Sequence, residues 1–234
     1  MMFRTQNYYF KETDFESTTS AYTDPWLGGA ISSGTAGQTK GNASHPAVQN
    51  ILSSSSALSG YQYSIASGTT FLLNSDYYSR FVFNPARNGS AAQNSTTLRF
   101  GFLDTFTATG TTDGAYINVT FNASANSFNV TGHTVSNSVG SKTTTTYYGM
   151  TNGTWYTGEV YVVNTSLVRF AIFSESGTLL WNDTISSSST IPVTGGREVS
   201  NGFLWVLDGA GTGGVFTLGT YDYLNVGVNK SLVR

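Results

Sequence analysis

The sequence predicts an all-β protein, and within that class a two-sheet antiparallel β-sandwich. No segment of about twelve residues places apolar side chains at the i, i+3, i+4, i+7 spacing of an amphipathic helix. Short runs instead alternate apolar and polar residues, as half-buried strands do. Clusters of Gly, Ser, Thr and Asn separate these runs and favour turns. Many closely spaced short strands are typical of two sheets packed face to face.

The alternation is clearest in LRFGF at 98–102, where the leucine and the two phenylalanines share one side and the arginine takes the other. The stretch VRFAI at 168–172 repeats this pattern, and AYINVTF at 115–121 alternates similarly. A shift of one residue would expose each apolar set, so these registers are well specified. Further predicted strands lie near 61–65, 69–73, 80–84, 126–131, 143–149, 154–163, 178–184, 202–208 and 214–228.

TLRFGFLDTFTATGTTDGAYINVTF, at 97–121, is predicted to form two neighbouring strands joined by the link 104–114. The apolar alternates of both strands should face the core. Arg99, Tyr116 and Asn118 should then lie on the opposite face, since neighbouring side chains of a strand point to opposite sides. We expect this outward face to be a candidate ligand-binding site.

No cofactor is expected, with calcium as the one alternative. Asp104 and Asp113 flank the link of this hairpin, and two carboxylates near one loop are calcium candidates. The same residues suit turn capping through their side chains. The chain has no cysteine, which excludes disulfides and thiolate metal sites. Its two histidines, His45 and His133, are far apart and without flanking ligands, which argues against zinc.

We expect residues 21–234 to form a single β-sandwich domain preceded by a distinct segment at 1–20. That segment holds a large share of the chain's charge. Two alternatives remain open: an arm that anchors the domain, or an edge strand built through Tyr8, Tyr9 and Phe10. The beginning of the chain lacks the apolar core of a signal peptide. No run approaches the roughly 20 apolar residues of a membrane-spanning helix, so membrane insertion is not expected.

The charge balance argues against a nucleic-acid partner. Charged residues make up 10% of the chain, and 11 Lys and Arg stand against 13 Asp and Glu, so there is no basic surplus to contact phosphates. Ser, Thr, Asn and Gly supply the polarity instead. Neutral hydrogen-bonding groups of this kind are typical of an exposed, surface-displayed protein.

Catalytic motifs are missing from the sequence. There is no G-x-S-x-G nucleophile elbow. Glycoside hydrolysis needs two carboxyl groups that face each other across the sugar. Glu159, in TGEVYVV, is the one glutamate inside a strong strand pattern, and it has no carboxylate two residues away. The sequence therefore predicts a protein that is not an enzyme, with a glycan-cleaving enzyme as the less favoured alternative.

Aromatic side chains beside polar turns suggest sugar binding. Tyr147 and Tyr148 follow the polar run SKTTTT, and Trp155 follows a turn at Asn152-Gly153. Each ring could stack on a sugar, although aromatic residues in such positions more often pack in the core or between sheets. We take these three residues as binding candidates alongside Arg99, Tyr116 and Asn118.

Several segments together resemble a known family. Five stretches are similar to parts of concanavalin-A-like lectin/glucanase-type jelly-roll domains in bacteriophage virion and tail proteins. They read DFESTTSAYTDPWLGG, SHPAVQNILSSSSALSGYQ, RFGFLDTFTATGTTDGAYINV, NGTWYTGEVYVVNTSLVRFAIFSESGTLLWNDTI and STIPVTGGREVSNGFLWVLDGAGTGGVFTLGTYDYLNV. The likeness covers most of residues 12–228 and concerns mainly structural positions. The chain departs from the pattern at Ala47, where glycine is usual, and at Asp222.

This resemblance implies a jelly-roll sandwich displayed on a virus particle as a capsid decoration, fibre or tail component. We therefore expect a non-enzymatic structural protein of the virion surface. Its expected partners are other capsid or tail proteins and, by analogy of fold, host surface glycans. A homo-oligomer such as a trimer is expected. The alternative is a carbohydrate-binding or adhesive cell-surface protein of the S-layer type.

Overall fold

The computed structural model contains β-strands and no helix in the residues that it describes. These are residues 7–14, 26–31, 35–42, 44–52, 59–65, 71–74, 76–86, 95–106, 111–122, 125–137, 140–195, 197–208 and 217–230. They form sixteen strands in two antiparallel sheets, so the predicted all-β sandwich of jelly-roll type is confirmed. Within these residues no helix is long and apolar enough to cross a membrane.

Sheet A has a path of seven strands with an eighth strand alongside it. In spatial order the path is β14 (Leu179–Ser186), β13 (Leu167–Ser174), β12 (Tyr156–Asn164), β6 (Asp76–Pro85), β16 (Thr217–Lys230), β4 (His45–Leu52) and β3 (Thr35–Asn42). The eighth strand, β1 (Asn7–Asp14), also pairs with β16.

Sheet B is built in the same way. Its order is β10 (Gly140–Thr143), β9 (Ser127–Ser136), β8 (Gly114–Asn122), β7 (Ser95–Leu103), β15 (Ser200–Asp208), β5 (Ser59–Ile65) and β2 (Trp26–Ile31), and β11 (Tyr147–Thr151) also pairs with β9.

The longest strand, β16, joins three partners. It pairs with β6 along most of its length, with β4 through residues 217–221, and with β1 through residues 223–230. The register shifts between Tyr221 and Tyr223, so Asp222 occupies a bulge. Residues 7–14 thus lie in a sheet A strand. Residues 1–6 and 15–25 lie outside the described residues, so the domain boundary near residue 20 stays a prediction.

The core lies between the two sheets, and the predicted hairpin contributes to it as expected. Strand β7 pairs with β8, and the apolar alternates of both strands are buried except Phe121, which is partly buried against the core. The ring of Phe100 packs against Phe81 and Phe83, with ring centroids 5.2 and 5.3 Å apart. Phe81 also stacks on Phe203 of sheet B at 4.9 Å. Packing of these aromatic rings therefore fixes the distance between sheet A and sheet B.

Some predicted strands are wrong or incomplete. The described part of 69–73 makes only an isolated bridge from Phe71 to Val199, because its backbone pairs with a coil segment and not with a sheet. The segment 143–149 is divided, since residues 144–146 lie between β10 and β11. Strands β2, β3 and β4 were not predicted. Their sequences lack apolar alternation, and main-chain pairing holds them in their sheets: β2 pairs with β5, β4 with β16, and β3 with β4.

Candidate functional site

The outer face of sheet A carries aligned rows of polar and aromatic side chains. Alternate residues of β6 fill the core, so the residues between them point outward. The strand register places Arg80 beside Glu159 and Tyr78 beside Tyr161. It continues across β13 and β14, where Tyr161 neighbours Arg169. Sheet pairing therefore brings together residues that are far apart in the sequence.

A groove of about 640 Å³ lies over β12, β13 and β14 on this face, and we call it the sheet A groove. Tyr161 and Phe173 offer partly exposed rings, while the Leu179 side chain is 48% exposed. Arg169 and Asn182 are exposed and supply hydrogen-bond donors. Aromatic surface beside a few placed polar groups is the usual make-up of a small-ligand site. The lining residues are Glu159, Tyr161, Arg169, Phe170, Ala171, Phe173, Leu179, Asn182, Asp183 and Thr184.

Glu159 is held in place at one side of this groove. The Tyr78 hydroxyl donates a hydrogen bond of 2.7 Å to Glu159 Oε1, and Arg80 Nε lies 3.8 Å from the same oxygen. Burial, followed by this hydrogen bond, raises the pKa of Tyr78 far above its usual value. Tyr78 therefore remains a neutral donor at physiological pH, and Glu159 keeps a fixed orientation.

Asp183 is the other acidic residue of the lining, and its oxygens are already occupied. Thr145 donates to Oδ2 from both its backbone nitrogen at 3.0 Å and its hydroxyl at 2.6 Å, while Thr184 N donates to Oδ1 at 2.7 Å. Burial alone raises the pKa of Asp183, but these hydrogen bonds outweigh it and lower the pKa below its usual value. Asp183 is thus a structural acceptor.

A second group of side chains comprises His45, Trp155, Glu175 and Asp222, and we call it the His45 cluster. It lies beyond the end of β13 that holds Phe173. His45 Nδ1 lies 2.5 Å from Asp222 Oδ2, and Nε2 lies 3.5 Å from Glu175 Oε1. The imidazole stacks on Trp155, with ring centroids 3.9 Å apart and planes at 20°. Trp155 is consequently only 8% exposed, which argues against the open sugar platform expected from the sequence. His45 and Asp222 are 177 residues apart, so no sequence pattern announces their contact.

On sheet B, the structure brings together the hairpin residues selected from the sequence. Strand register aligns Arg99 with Asn118, and Arg99 Nε donates to Asn118 Oδ1 at 3.4 Å. Register also aligns Tyr116 with His133 of β9, and these rings are parallel. Thr131 completes the group through a 2.8 Å contact with His133 Nε2. We call these five residues the Arg99 cluster. Sequence reasoning found three of them and missed His133 and Thr131, because only sheet pairing places β9 beside β8.

Burial controls protonation in this cluster. Burial and, to a lesser extent, the nearby Arg99 guanidinium lower the pKa of His133 to about 4. Burial also raises the pKa of Tyr116. Both rings are therefore neutral near pH 7, which leaves Arg99 as the cluster's charged member.

Tyr147 and Tyr148 lie on β11, across β9 from the hairpin. Tyr147 is half-buried against the core, whereas Tyr148 is 67% exposed. Of the three aromatic candidates from the sequence, Tyr148 has the most open ring. It lies in sheet B, whereas Trp155 directly precedes β12 of sheet A, so the structure does not gather the three candidates into one site. A binding role for each stays a prediction.

The two calcium candidates make turn-capping contacts. Asp104 accepts a hydrogen bond from Thr112 N at 3.1 Å and contacts the Thr112 hydroxyl. Asp113 Oδ1 accepts from Asn137 N at 2.7 Å and lies 3.7 Å from Arg197 Nη1. In the described part of the chain, no group of three or more His, Cys, Asp or Glu side chains could hold a metal ion. Strand β8 begins at Gly114, so the link of the hairpin comprises residues 104–113.

Residues 44–215 match the family model of the SO2946-like C-terminal domain, a span that includes both strands of the hairpin and all of β12–β14. The chain belongs to the SO2946-like family. No curated protein sequence matches it significantly.

Solved structures share the sandwich at low sequence identity. A Shewanella oneidensis MR-1 protein described as of unknown function, SO2946, has a TM-score of 0.68 and 17% identity, covering 97% of this chain and 89% of that one. The CBM2 module of the evolved Dit of Lactobacillus casei BL23 phage J-1 has a TM-score of 0.63 and 11% identity over 97% and 98%. Peanut lectin has a TM-score of 0.52 and 11% identity over 94% and 99%.

These likenesses establish a lectin-like jelly-roll fold for this SO2946-like chain. Enzymes occur among the similar structures together with lectins and a carbohydrate-binding module. The fold alone therefore does not separate binding from catalysis, and function has to be argued from the site.

Proposed function

We propose that this chain is a non-enzymatic glycan-binding domain displayed on a virus particle, and that it binds sugars in the sheet A groove. The observation that carries the proposal is the groove's composition. Tyr161 and Phe173 provide ring faces for the apolar side of a sugar, while Arg169, Asn182 and Glu159 provide groups for its hydroxyls. A sugar needs both kinds of surface, and neutral side chains dominate the remainder of the lining.

The arrangement of acids favours binding over hydrolysis. Glycosidases position two carboxyl groups about 5–9 Å apart on either side of the bond to be cleaved. Glu159 is one of the two carboxylates that line the groove, and its side chain contacts Tyr78 and Arg80. Asp183 is committed to Thr145 and Thr184. The groove thus lacks a second carboxyl group free to act as acid or nucleophile.

Display on a virus particle is supported by two observations. The chain is polar mainly through neutral side chains, with 10% charged residues. A module of a phage Dit shares its fold over almost the whole length of both chains. As part of the virion surface, the domain would have capsid or tail proteins and further copies of itself as partners. The rival proposal is an adhesive protein of the cell surface.

A glycan array with the purified chain tests the binding proposal. We expect selective binding of a set of glycans, and Tyr161→Ala should weaken it at least about tenfold, since a central aromatic contact is a typical hot spot. Tyr148→Ala is the matched comparison, because it removes an exposed tyrosine from sheet B. Binding that survives Tyr148→Ala and is lost in Tyr161→Ala assigns the sugar to the groove, whereas the reverse assigns it to the Tyr148 candidate. Absence of glycan binding by the wild-type chain would reject the proposal.

Virion display is tested separately. Purified particles of the virus that encodes the chain should contain it, detected by mass spectrometry and located by cryo-electron microscopy. Neighbouring genes for portal and capsid proteins should accompany its gene. If the chain is absent from the particles and fractionates with cell envelopes, the cell-surface alternative replaces the viral one.

A further inference from the structure

The strands β7 to β11 of sheet B have an unusual charge distribution. Together they contain no aspartate and no glutamate, and their two cationic side chains are Arg99 and Lys142. Sheet A differs, since β12, β14 and β16 carry Glu159, Asp183 and Asp222. Five adjacent strands without a carboxylate form a surface that favours negative over positive ligands. The carboxylate at its border is Asp104, which follows β7, accepts a hydrogen bond from Thr112 N and contributes to the raised pKa of Tyr116 after burial.

Arg99 is the cation of this surface that lacks a strong partner. Lys142 Nζ donates to Ser186 O at 3.2 Å, so its charge is partly satisfied. Arg99 makes one long hydrogen bond, to Asn118, and no carboxylate of the described residues lies within 4 Å of its guanidinium. Its Nη1 is buried and has no hydrogen-bond acceptor among those residues. A desolvated guanidinium nitrogen without an acceptor is costly, and a bound anion would relieve this cost.

The groups around Arg99 suit sugar hydroxyls. Asn118 and Thr131 offer neutral amide and hydroxyl groups on the same face of the sheet, beside the buried ring of Tyr116. Asn129 lies one row further along β9, and its Oδ1 is buried without a donor within the described structure. Next-but-one residues of a strand are about 7 Å apart. The face therefore lacks an acceptor for Arg99 and, a short distance away, a donor for Asn129.

We propose that the outer face of sheet B binds an acidic saccharide, with the sugar's carboxylate paired to Arg99 and its hydroxyls to the neutral groups nearby. A uronic or sialic acid supplies both a carboxylate acceptor and hydroxyl donors in one rigid unit. The site lies on the opposite sheet from the sheet A groove and does not depend on it. An acidic peptide would satisfy Arg99, but its N–H donors are spread along an extended backbone. A sugar ring holds several hydroxyl donors close to its carboxylate, so the saccharide is the better fit.

Isothermal titration with matched sugars tests this site. The ligands are trigalacturonate with its neutral methyl ester, and sialyllactose with lactose. At least one acid should bind about tenfold or more tightly than its neutral counterpart, and raising the salt should weaken that binding. Arg99→Gln should abolish the difference. Lys142→Gln, which removes the other cation of the same strands, should retain it.

A second measurement avoids dependence on a variant that fails to fold. In the wild-type protein, the NMR signal of Arg99 Nε–Hε should shift with saturable dependence on the acidic sugar and remain unmoved by the neutral one. An unmoved signal with both acids, or equal affinity for acids and neutral sugars, overturns the proposal. Binding of poly-glutamate without binding of either acidic sugar would transfer the site to acidic proteins and also overturns it. The Tyr161→Ala test of the sheet A groove, read on neutral glycans, is independent of all these outcomes.

Discussion

The imidazole of His133 lies parallel to the phenol ring of Tyr116, with the ring centroids 5.1 Å apart and an angle of 4° between the planes. Thr131 Oγ1 contacts His133 Nε2 at 2.8 Å, and Thr143 Oγ1 contacts Nδ1 at 3.3 Å. A threonine hydroxyl can donate or accept, so both ring nitrogens are satisfied while the imidazole is neutral. Protonation would place a second cation beside Arg99, which is one reason for the low pKa.

Acid should therefore destabilise the fold through His133. Its pKa falls from 6.5 in the unfolded chain to about 4 in the folded one, so the unfolded chain binds this proton first. The stabilisation is complete above pH 6.5 and is lost as the pH falls towards 4, by on the order of 3 kcal/mol at about 1.4 kcal/mol per pKa unit. Urea unfolding of wild type and His133→Gln between pH 4 and 7.5 measures it. Parallel pH profiles of the two proteins would contradict this assignment.

Gly158 is predicted to be intolerant of any side chain. A Cβ at this position would lie 2.2 Å from Phe100 Cζ, in the centre of the aromatic core. Because a packed core does not absorb such an overlap, Gly158→Ala should lower the free energy of unfolding by about 1–3 kcal/mol. Gly195→Ala is the control, since nothing lies within 4 Å of its added Cβ. Chemical denaturation compares the two variants, and equal stabilities would show that Phe100 can move aside.

Asp222 should secure the start of β4. Its carboxylate lies 2.5 Å from His45, whereas that of Glu175 lies 3.5 Å away. A hydrogen bond involving a charged group contributes about 1.5–3 kcal/mol. We expect Asp222→Ala to speed amide hydrogen exchange in residues 45–52 by roughly ten- to a hundredfold if exchange follows local opening. Glu175→Gln should have a clearly smaller effect, and the reverse order would show that the longer contact dominates.

Glu159 should matter for binding and not for turnover. Wild-type protein incubated with the glycans that it binds should release no reducing sugar, because the groove offers no second available carboxyl group. Glu159→Gln keeps an oxygen for the Tyr78 hydroxyl and should reduce glycan affinity by a few-fold at most. A reducing-sugar assay and titration calorimetry check both points. Sugar release that disappears in Glu159→Gln would establish a hydrolase instead.

The hairpin shows how much of the fold could be predicted from sequence. In LRFGF and AYINVTF, large apolar side chains recur at every second position, and this period alone fixes which face is buried. Strand β3, TAGQTKGN, has no such period. Its place depends on backbone hydrogen bonds to β4, which any sequence without proline at those positions can make. Edge strands of this kind leave little trace in side-chain hydrophobicity.

Some contacts in the candidate sites could be predicted from the sequence, and others could not. Arg99 and Asn118 are predictable as neighbours, because they belong to one hairpin with a short link. Tyr161 and Arg169 face each other in a second hairpin, but the groove they line also requires the bulged pairing of β13 with β14. Trp155 is covered by His45, a contact across 110 positions of the chain (155 minus 45). Long-range pairing of this kind carries no local signal.

The positions of β15 and β16 determine when the protein can fold. Strand β15 lies between β5 and β7, and β16 lies between β6 on one side and β4 and β1 on the other. Until residues 200–230 have left the ribosome, sheet B is divided into two pieces and sheet A into three, and all of these pieces have open edges. Contacts so distant in sequence form slowly, and exposed edges invite pairing with other chains. Completion of the sandwich therefore waits for β15 and β16, and until they emerge the nascent chain exposes strand edges that are prone to aggregation and that are paired in the folded protein.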